Sequence, residues 1–342
     1  MNILVLNAGS SSQKMALYQL NHPLPDRSIS PIWKATIDWS DHSRQSEITI
    51  KTHTGEVVQE TYPETNRETD RETILTQVLD RLWSGQTQVI DNAAAIDCVG
   101  HRVVHGGRDY RESVIIDDRV KTAIDQLSTF APLHNPANLA GILAIETVLG
   151  EIPQIAVFDT AFHGQLPEAA KVYPLPYEWY EKGIQRYGFH GISHQYCAHR
   201  SAQLLGRDLQ DLRLIIAHLG NGCSLSAIRN GHSIETTMGF TPLEGLMMGS
   251  RSGSIDPGIL IYLLREGHYT IDQLDHLLNY DSGLKGLSGI SNDLRPILAA
   301  IDKDQTRAQL AFDVYVHRLR AQIGAMLANL GGLDALVFTA GV

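Results

Sequence analysis

NILVLNAGSSSQKMALYQL, residues 2–20, is the stretch that decides the fold of this chain. An apolar run enters a turn of Asn7, Gly9 and three serines, and the run KMALYQL follows it. This order predicts a strand, a tight turn and a second strand. Backbone N–H groups and hydroxyls in such a turn can bind phosphate, although an ordinary hairpin turn uses the same residue types. Neither GxxxxGK[ST] nor a helix-opening GxGxxG occurs, so the two common phosphate motifs are excluded.

Length, charge and cysteine content narrow the class of protein. The 342 residues suffice for two domains with substantial cores. A net charge of -10 argues against a nucleic-acid partner, which rewards clustered Lys and Arg. Cys98, Cys197 and Cys223 show no CxxC spacing, which predicts reduced thiols. Because the sequence has no membrane-length apolar run and no signal peptide, we expect a cytoplasmic protein without a membrane partner.

The two halves of the chain share one plan. Alternating strands are predicted over residues 33–39, 46–52 and 56–62, and a helix over 71–83. The second half opens with RLIIAHLGNGCSLSAIRNGHSIETT, residues 213–237, which predicts strand, Gly-rich turn, strand and a further hairpin at Asn230 and Gly231. This repetition indicates a duplicated domain with one phosphate-type loop in each copy. We expect the two loops to face an interdomain cleft, where ligand sites are common.

Six segments in one order resemble the acetate kinase family, and the resemblance covers essentially the whole chain. They are the opening turn, GHRVVHGG (100–107), FDTAFH (158–163), RYGFHGISH (186–194), HLGNGCS (218–224) and TTMGFTPLEGLMMGSRSGSIDPG (236–258). The resemblance implies an α/β fold of two duplicated RNase-H-like, actin-like ATPase domains with an interdomain active-site cleft. It also implies a homodimer that transfers the ATP γ-phosphoryl group reversibly to acetate, giving acetyl phosphate and ADP, with Mg²⁺ or Mn²⁺. The expected domains are residues 1–162 and 163–342.

The resemblance assigns roles to individual residues. For the transferring phosphoryl group and the nucleotide phosphates it implies Asn7, Ser10, Ser12, Lys14, His218, Asn221 and Gly222. For catalysis it implies Arg102, Asp159, His190 and Arg251, with Asn7 and Asp159 near the metal. For the acetate methyl group it implies a wall of Val104, Leu133, Phe189 and Pro242, and for the adenosine Asp293, Leu294 and Arg295. Arginine suits this chemistry because its planar fork stays charged and binds carboxylate or phosphate through two hydrogen bonds.

Several alternatives remain open at the level of sequence. Asp159 could cap the turn that follows it, in place of or in addition to a magnesium role. His190 and His194 have HxxxH spacing, but the glutamate usual in zinc motifs is replaced by Gly191. Propionate or butyrate could replace acetate, and an actin-like protein could bind nucleotide without catalysis. The pair Arg102 and Arg251 favours catalysis, because a nucleotide switch needs no carboxylate clamp.

The end of the sequence generates a further expectation. The chain closes with LDALVFTAGV, residues 333–342, which predicts an apolar strand. The family pattern continues into a Gly-rich stretch near the adenosine, a magnesium-positioning glutamate and a helix that closes the first domain. We therefore expect a C-terminally truncated chain with weak ATP binding, impaired turnover and an exposed apolar face on the first domain. Two alternatives remain: another chain supplies that segment, or the protein uses a smaller phosphoryl donor than ATP.

Overall fold

The computed structural model describes residues 1–9, 12–21, 29–39, 45–63, 67–132 and 134–341. The chain divides into two compact units, Met1–Asp159 and Thr160–Val342. The division lies close to the domain boundary expected after residue 162. Each unit carries its own β-sheet, as an α/β fold requires.

Unit 1 is built on an eight-stranded mixed sheet of order β5-β4-β3-β2-β1-β6-β8-β7. The strands are β1 (Asn2–Ala8), β2 (Ser12–Gln19), β3 (Trp33–Asp38), β4 (Gln45–Thr52), β5 (Val57–Pro63), β6 (Cys98–Val103), β7 (Val114–Ile115) and β8 (Gln154–Phe158). Strand β1 pairs antiparallel with β2, which confirms the predicted opening hairpin. On its other side β1 pairs parallel with β6, and β6 pairs parallel with β8.

The register of the three central strands sorts their side chains between two faces. Leu4 and Leu6 of β1 and Met15 and Leu17 of β2 are buried in the core of the unit. The next positions belong to the opposite face, because successive side chains of a strand alternate. Asn7 lies directly opposite Lys14 on β2 and Arg102 on β6. Three polar side chains therefore form one row across the sheet.

The first and third helices of unit 1 contribute buried side chains to the core on the apolar face of its sheet. The helices are α1 (Arg67–Asp80), α2 (Asp118–Gln126) and α3 (Asn135–Leu149). The apolar face predicted for the first helix is confirmed, since Ile74, Leu75, Val78 and Leu79 are all buried. The helix begins four residues before the predicted range 71–83 and ends three residues before the end of that range, at Asp80.

Unit 2 repeats the strand pairing of unit 1 in a smaller sheet of order β11-β10-β9-β12. The strands are β9 (Arg213–Leu219), β10 (Cys223–Arg229), β11 (His232–Thr236) and β12 (Ala335–Thr339). Strand β9 is antiparallel to β10 and parallel to β12, just as β1 is antiparallel to β2 and parallel to β6. The predicted duplication is thus present in the topology.

The turns of unit 2 also follow the sequence signals. Asn230 and Gly231, between β10 and β11, have φ of 53° and 76°, the left-handed conformation that a two-residue hairpin turn requires. The helices of unit 2 are α4 (Glu168–Lys171), α5 (Tyr177–Glu181), α6 (Gly191–Leu205), α7 (Pro257–Arg265), α8 (Ile271–Tyr280), α9 (Gly283–Ser288), α10 (Leu294–Ile301) and α11 (Thr306–Leu330). Within the described ranges, no helix has the length and apolar character needed to cross a membrane.

His101 on β6 gives unit 1 a testable pH dependence. Its side chain is buried, and its Nε2 lies 2.6 Å from Oε1 of Gln154. Burial lowers the pKa of His101 from 6.5 to about 4, and the hydrogen bond to Gln154 only partly opposes this. Between these two values the unfolded chain binds a proton that the folded chain does not. The free energy of unfolding therefore falls as the pH drops from 6.5 towards 4.

Lowering the pH from 7.5 to 5 should reduce the free energy of unfolding of the His101→Gln variant by about 2 kcal/mol less than that of the original chain. The reason is that glutamine does not take up a proton on unfolding. Thermal unfolding of the original chain and the variant at both pH values measures this difference. Between pH 7.5 and pH 8.5, above the titration range, the two proteins should show the same pH dependence. Equal losses of stability down to pH 5 would contradict the prediction.

Candidate functional site

In unit 1 the predicted residues Asn7, Arg102 and Asp159 form one hydrogen-bonded cluster. Arg102 Nε donates to Asp159 Oδ2 over 3.0 Å, and Nη2 donates to the same oxygen. Arg102 Nη1 donates to Oδ1 of Asn7 over 3.0 Å. The cluster forms because β1, β6 and β8 are parallel neighbours, so residues at their carboxyl ends meet at one edge of the sheet.

The ion pair keeps Arg102 charged. Burial of the guanidinium disfavours its charge, but the charge and hydrogen bonds of Asp159 outweigh this and raise the pKa of Arg102. Asp159 is 2% exposed. The alternative that Asp159 caps the following turn is wrong. Thr160 occupies the cap position there without a side-chain cap, and the Asp159 carboxylate is held by Arg102.

The opening hairpin sequence contains three further predicted residues, Ser10, Ser12 and Lys14. Gly9 N–H donates to the carbonyl of Ser12 over 2.9 Å, which closes the turn between β1 and β2. Lys14 is exposed and lies opposite Asn7 in the register. Ser10 and Leu133 lie outside the described residues. The structure therefore brings Lys14 into the row that contains Asn7 and Arg102.

Two buried asparagines of α3 hold this edge in place, and the sequence analysis did not identify them. Asn138 Nδ2 donates to the carbonyl of Ala8 over 2.7 Å, and its Oδ1 accepts from Val104 N–H over 3.0 Å. Asn135 accepts from His105 N–H over 3.1 Å. The signal was the NPAN sequence at 135–138, which puts two amides three positions apart on one helical face. Val104, predicted for the methyl wall, is consequently anchored through its backbone and is 5% exposed.

In unit 2 His190 stands immediately before α6 in an unusual backbone conformation. Its φ is 58°, in the left-handed region that non-glycine residues rarely adopt. Nδ1 of His190 lies 2.9 Å from Oγ of Ser224. The ring stacks on His218 at a centroid distance of 4.1 Å, and His218 Nδ1 lies 2.8 Å from Oγ of Ser193. Strain of this kind is typical of functional sites, where surrounding contacts hold the residue in place.

Gly222 lies between two of the predicted catalytic side chains. A Cβ at this position would lie 3.4 Å from Nη1 of Arg251 and 3.4 Å from Nε2 of His190. Arg251 Nη1 also donates to the carbonyl of Pro242 over 3.2 Å. The absence of a side chain at residue 222 thus leaves room beside a guanidinium nitrogen and an imidazole nitrogen. Four predicted residues from three separate segments are brought together here.

The Gly-rich loop of unit 2 is tied to two later segments. The carbonyl of Asn221 accepts from Gly249 N–H over 3.0 Å, and its Oδ1 accepts from Asn292 Nδ2 over 3.1 Å. A Cβ on Gly249 would come within 2.3 Å of that same Oδ1, so the close approach requires glycine. The LGNGCS loop, the MMGSR segment and the SNDLR segment therefore converge.

Arg186 organises the segment that carries Pro242, and the sequence analysis missed it as well. Its Nη1 donates to three consecutive carbonyls, those of residues 236–238, over 3.1–3.2 Å. Its Nη2 donates to Oε1 of Glu244 over 2.9 Å, and Glu244 also accepts from the hydroxyl of Tyr173. Sequence alone gives no signal for this role, because carbonyl partners depend on backbone placement and not on residue type.

Phe189 and the proposed adenosine segment complete the predicted set. Phe189 is 2% exposed, and its carbonyl lies 3.1 Å from Nε2 of His163. Asp293 caps α10 by accepting from the N–H of Arg295 over 2.8 Å, and the two side chains form an exposed ion pair. Leu294 follows in the first turn of that helix.

The residues of unit 1 fit a mostly hydrated divalent cation. Asp159 uses only Oδ2 for Arg102, and its Oδ1 makes no hydrogen bond with a described residue. Mg²⁺ prefers oxygen ligands and retains several waters, so one free carboxylate oxygen suffices for contact through water. Among the residues that the structure describes, no group of three or more His, Cys, Asp or Glu side chains could hold a metal by itself.

Comparison with known proteins gives one consistent family. The model of the acetokinase family matches residues 2–342. An acetate kinase of Gloeobacter violaceus is 62% identical over 344 residues, covering 100% of this chain and 84% of that protein. An acetate kinase of a Cyanothece species is 61% identical, covering 100% of this chain and 83% of that protein.

Comparison with solved structures leads to the same family. The crystal structure of Porphyromonas gingivalis acetate kinase matches with a TM-score of 0.88 and 41% identity, covering 100% of this chain and 83% of that one. A propionate kinase from Francisella tularensis matches with a TM-score of 0.87 and 35% identity, covering 99% and 83%. The two-unit fold is therefore that of the actin-like ATPases.

We predict that Asn138→Ala lowers the free energy of unfolding by about 2–5 kcal/mol, because the variant leaves the Ala8 carbonyl and the Val104 N–H without a partner. Urea denaturation measures the loss. Thr147→Ala, at an exposed position of the same helix, serves as the matched control and should change stability by about 0.5 kcal/mol or less. Equal stability of the two variants would show that Asn138 does not anchor the turn.

Proposed function

The chain belongs to the acetokinase family, and on that premise we propose how its residues divide the work of the reaction. Its activity is that of an acetate kinase, a phosphotransferase with a carboxyl group as acceptor that uses ATP. The alternatives of a propionate or butyrate kinase and of a non-catalytic nucleotide-binding protein are less well supported, since the relatives at 56–62% identity are all acetate kinases.

The observation that carries the assignment of roles is the convergence of Arg251 and His190 beside Gly222. Phosphoryl transfer needs alignment and neutralisation of spread negative charge more than it needs a covalent catalyst. A guanidinium and an imidazole that point at one open space supply donors for the equatorial oxygens of the transferring group. We assign both residues to that group.

Arg102 is assigned to the carboxylate of acetate. A guanidinium has five N–H donors, and the contacts of Arg102 with Asp159 and Asn7 use three of them. The remaining two donors are enough for one carboxylate. The ion pair with Asp159 holds the side chain in place, so acetate does not have to order it on binding.

Asp159 and Asn7 are the proposed magnesium residues, acting through water, and Mn²⁺ could substitute. When bound, the ion neutralises phosphate charge and orients the phosphates. The residues of this chain do the rest: Arg102 positions acetate as the acceptor, and His190 and Arg251 donate hydrogen bonds to the phosphoryl group while it passes from ATP to acetate.

The remaining assignments extend this division of labour. To the phosphoryl group and the nucleotide phosphates we assign Ser10, Ser12, Lys14, His218, Asn221 and Gly222. To the adenosine we assign Asp293, Leu294 and Arg295. To the wall around the acetate methyl group we assign Val104, Leu133, Phe189 and Pro242. The contacts of Asn221 with the segments around Gly249 and Asn292 support a shared nucleotide site in unit 2.

We also propose that the protein is a cytoplasmic homodimer. Four apolar side chains of α7, namely Ile259, Ile261, Tyr262 and Leu264, are 42–57% exposed, and a second copy would remove them from water. Sedimentation equilibrium determines the assembly state.

The proposed function is tested by mixing the chain with ATP, Mg²⁺ and acetate and trapping acetyl phosphate with hydroxylamine. Parallel reactions with propionate and butyrate measure acceptor preference. We expect acetate to give the highest kcat/KM, with a loss of about 1–3 kcal/mol in transition-state binding for each added methylene. An equal or higher kcat/KM with propionate would contradict the acetate assignment.

We predict that Arg251→Ala lowers kcat by about 10²–10³-fold, because a donor to the developing charge is lost. Arg251→Lys should recover little of this activity, since lysine lacks the planar fork. Arg229→Ala, at an exposed position at the end of β10, is the control and should retain kcat within about twofold. A near-normal kcat for Arg251→Ala would remove this residue from the reaction.

We predict that Gly222→Ala lowers kcat/KM by about tenfold or more without loss of folded protein, because the added methyl occupies the space between Arg251 and His190 and displaces the reacting group. Steady-state kinetics together with a melting curve separate the two effects. Gly324→Ala, whose new methyl meets no atom within 4 Å, provides the matched control. Unchanged kinetics in Gly222→Ala would mean that no ligand enters this space.

A further inference from the structure

A buried hydroxyl connects the proposed catalytic histidine to a second histidine. Oγ of Ser224 lies 2.9 Å from Nδ1 of His190 and 2.8 Å from Nε2 of His194. Ser224 and His194 are both fully buried, and Ser224 Oγ has no further hydrogen-bond partner among the described residues. A hydroxyl has one proton, so it can donate to only one of the two rings.

The environment of His194 determines which of the two rings accepts the hydrogen bond of the Ser224 hydroxyl. Burial lowers the pKa of His194 well below 6.5, and the nearby rings of His163 and His218 act in the same sense. The ring is therefore neutral and carries one proton, on either Nδ1 or Nε2. Its Nδ1 is buried and has no hydrogen-bond partner in the part of the chain that the structure describes.

Both rings could donate to Ser224 Oγ, but the buried hydroxyl proton would then have no acceptor among the described residues. Two other arrangements remain at Ser224, and they differ in cost. If the hydroxyl donates to His194 Nε2, the proton of His194 must sit on Nδ1, where it is a buried donor without an acceptor. If His194 Nε2 donates to the hydroxyl, only a lone pair at Nδ1 is left without a partner. Buried orphan N–H groups are rarer in proteins than under-satisfied acceptors. The second arrangement is therefore favoured.

We propose that Ser224 and His194 hold His190 in the tautomer that carries its proton on Nε2. In this arrangement His194 Nε2–H donates to Ser224 Oγ, and the Ser224 hydroxyl donates to Nδ1 of His190. The inference rests on the proposed function for the role of His190, and it makes Ser224 and His194 positioning residues. Neither is assigned a contact with substrate.

The tautomer matters because of where Nε2 lies. Nε2 of His190 and Nη1 of Arg251 both approach the open position beside Gly222. With its proton on Nε2, a neutral His190 donates a hydrogen bond towards that position. With its proton on Nδ1 it would present a lone pair, which repels an anionic phosphoryl oxygen. We call the hydrogen-bond chain from His194 through Ser224 to His190 the relay. It makes Nε2 of His190 a donor without requiring a charged imidazole.

The direct test is nitrogen-15 NMR of histidine-labelled full chain at pH 8, without substrate. Long-range correlations distinguish protonated from unprotonated ring nitrogens, and loss of a signal set in His190→Gln assigns it to His190. We expect Nε2 protonated and Nδ1 unprotonated. A spectrum with a proton on Nδ1 of His190, alone or together with Nε2, would overturn the proposal whether or not any further variant folds.

Two serine variants of β10 supply the matched comparison. Ser224→Ala removes the donor to Nδ1, so the Nδ1 resonance should move towards the average of the two tautomers and kcat should fall about fivefold or more, with KM for acetate unchanged. Ser226→Ala removes a buried hydroxyl two residues along the same strand, whose partners are Ser233 and the carbonyl of Glu235. It should leave the His190 resonances and kcat unchanged. Identical spectra and kcat for the two variants would refute the relay.

The two proposals fail separately. An inactive chain with His190 protonated on Nε2 would defeat the proposed function and leave the tautomer assignment standing. An active acetate kinase with His190 protonated on Nδ1 would defeat only the relay.

Discussion

The register that holds β1 between β2 and β6 is the constraint on which the site in unit 1 depends. Leu4 and Leu6 enter the core on one face, so Asn7 must lie on the other. A slip of one residue would exchange the two faces, burying polar groups and exposing the core. The free energy of apolar burial therefore also places Asn7 beside Arg102, although neither side chain contributes to that core.

The sheet of unit 2 shares this strand pairing, but its strand β10 is buried on both faces. Every residue of β10 except Arg229 is buried, so this strand has no solvent face for its polar side chains. Ser224 and Ser226 are tolerated because each hydroxyl has partners among histidine, serine or carbonyl groups. Buried polar groups that are fully partnered specify one arrangement of their neighbours. Ser224 holds two imidazole rings in position where an aliphatic residue would only fill space.

Sequence reasoning predicted much of this architecture and part of the site. Alternation and turn residues predicted the hairpins and the duplication, because these depend on neighbours along the chain. The NPAN sequence indicates two amides on one face of α3, but the partner of Asn138, the carbonyl of Ala8 130 positions away, could not be predicted. The backbone of His190 escaped prediction because histidine carries no preference strong enough to indicate a positive φ. The capping role considered for Asp159 was wrong, because the short helix that follows has Thr160 at its cap position, while the Asp159 carboxylate pairs with a guanidinium from another strand.

Arg186 has a consequence for the entropy of ligand binding. One guanidinium nitrogen holds three successive carbonyls of the segment that leads to Pro242. Glu244 accepts from that guanidinium and is itself held by the hydroxyl of Tyr173. A loop tied in this way loses its conformational freedom when the protein folds. Ordering a free loop at the moment of binding would cost about 0.5–1.5 kcal/mol for each immobilised side chain. Here the loop is already ordered before any ligand binds. The contacts formed on binding therefore contribute to affinity without the entropic cost of ordering the loop.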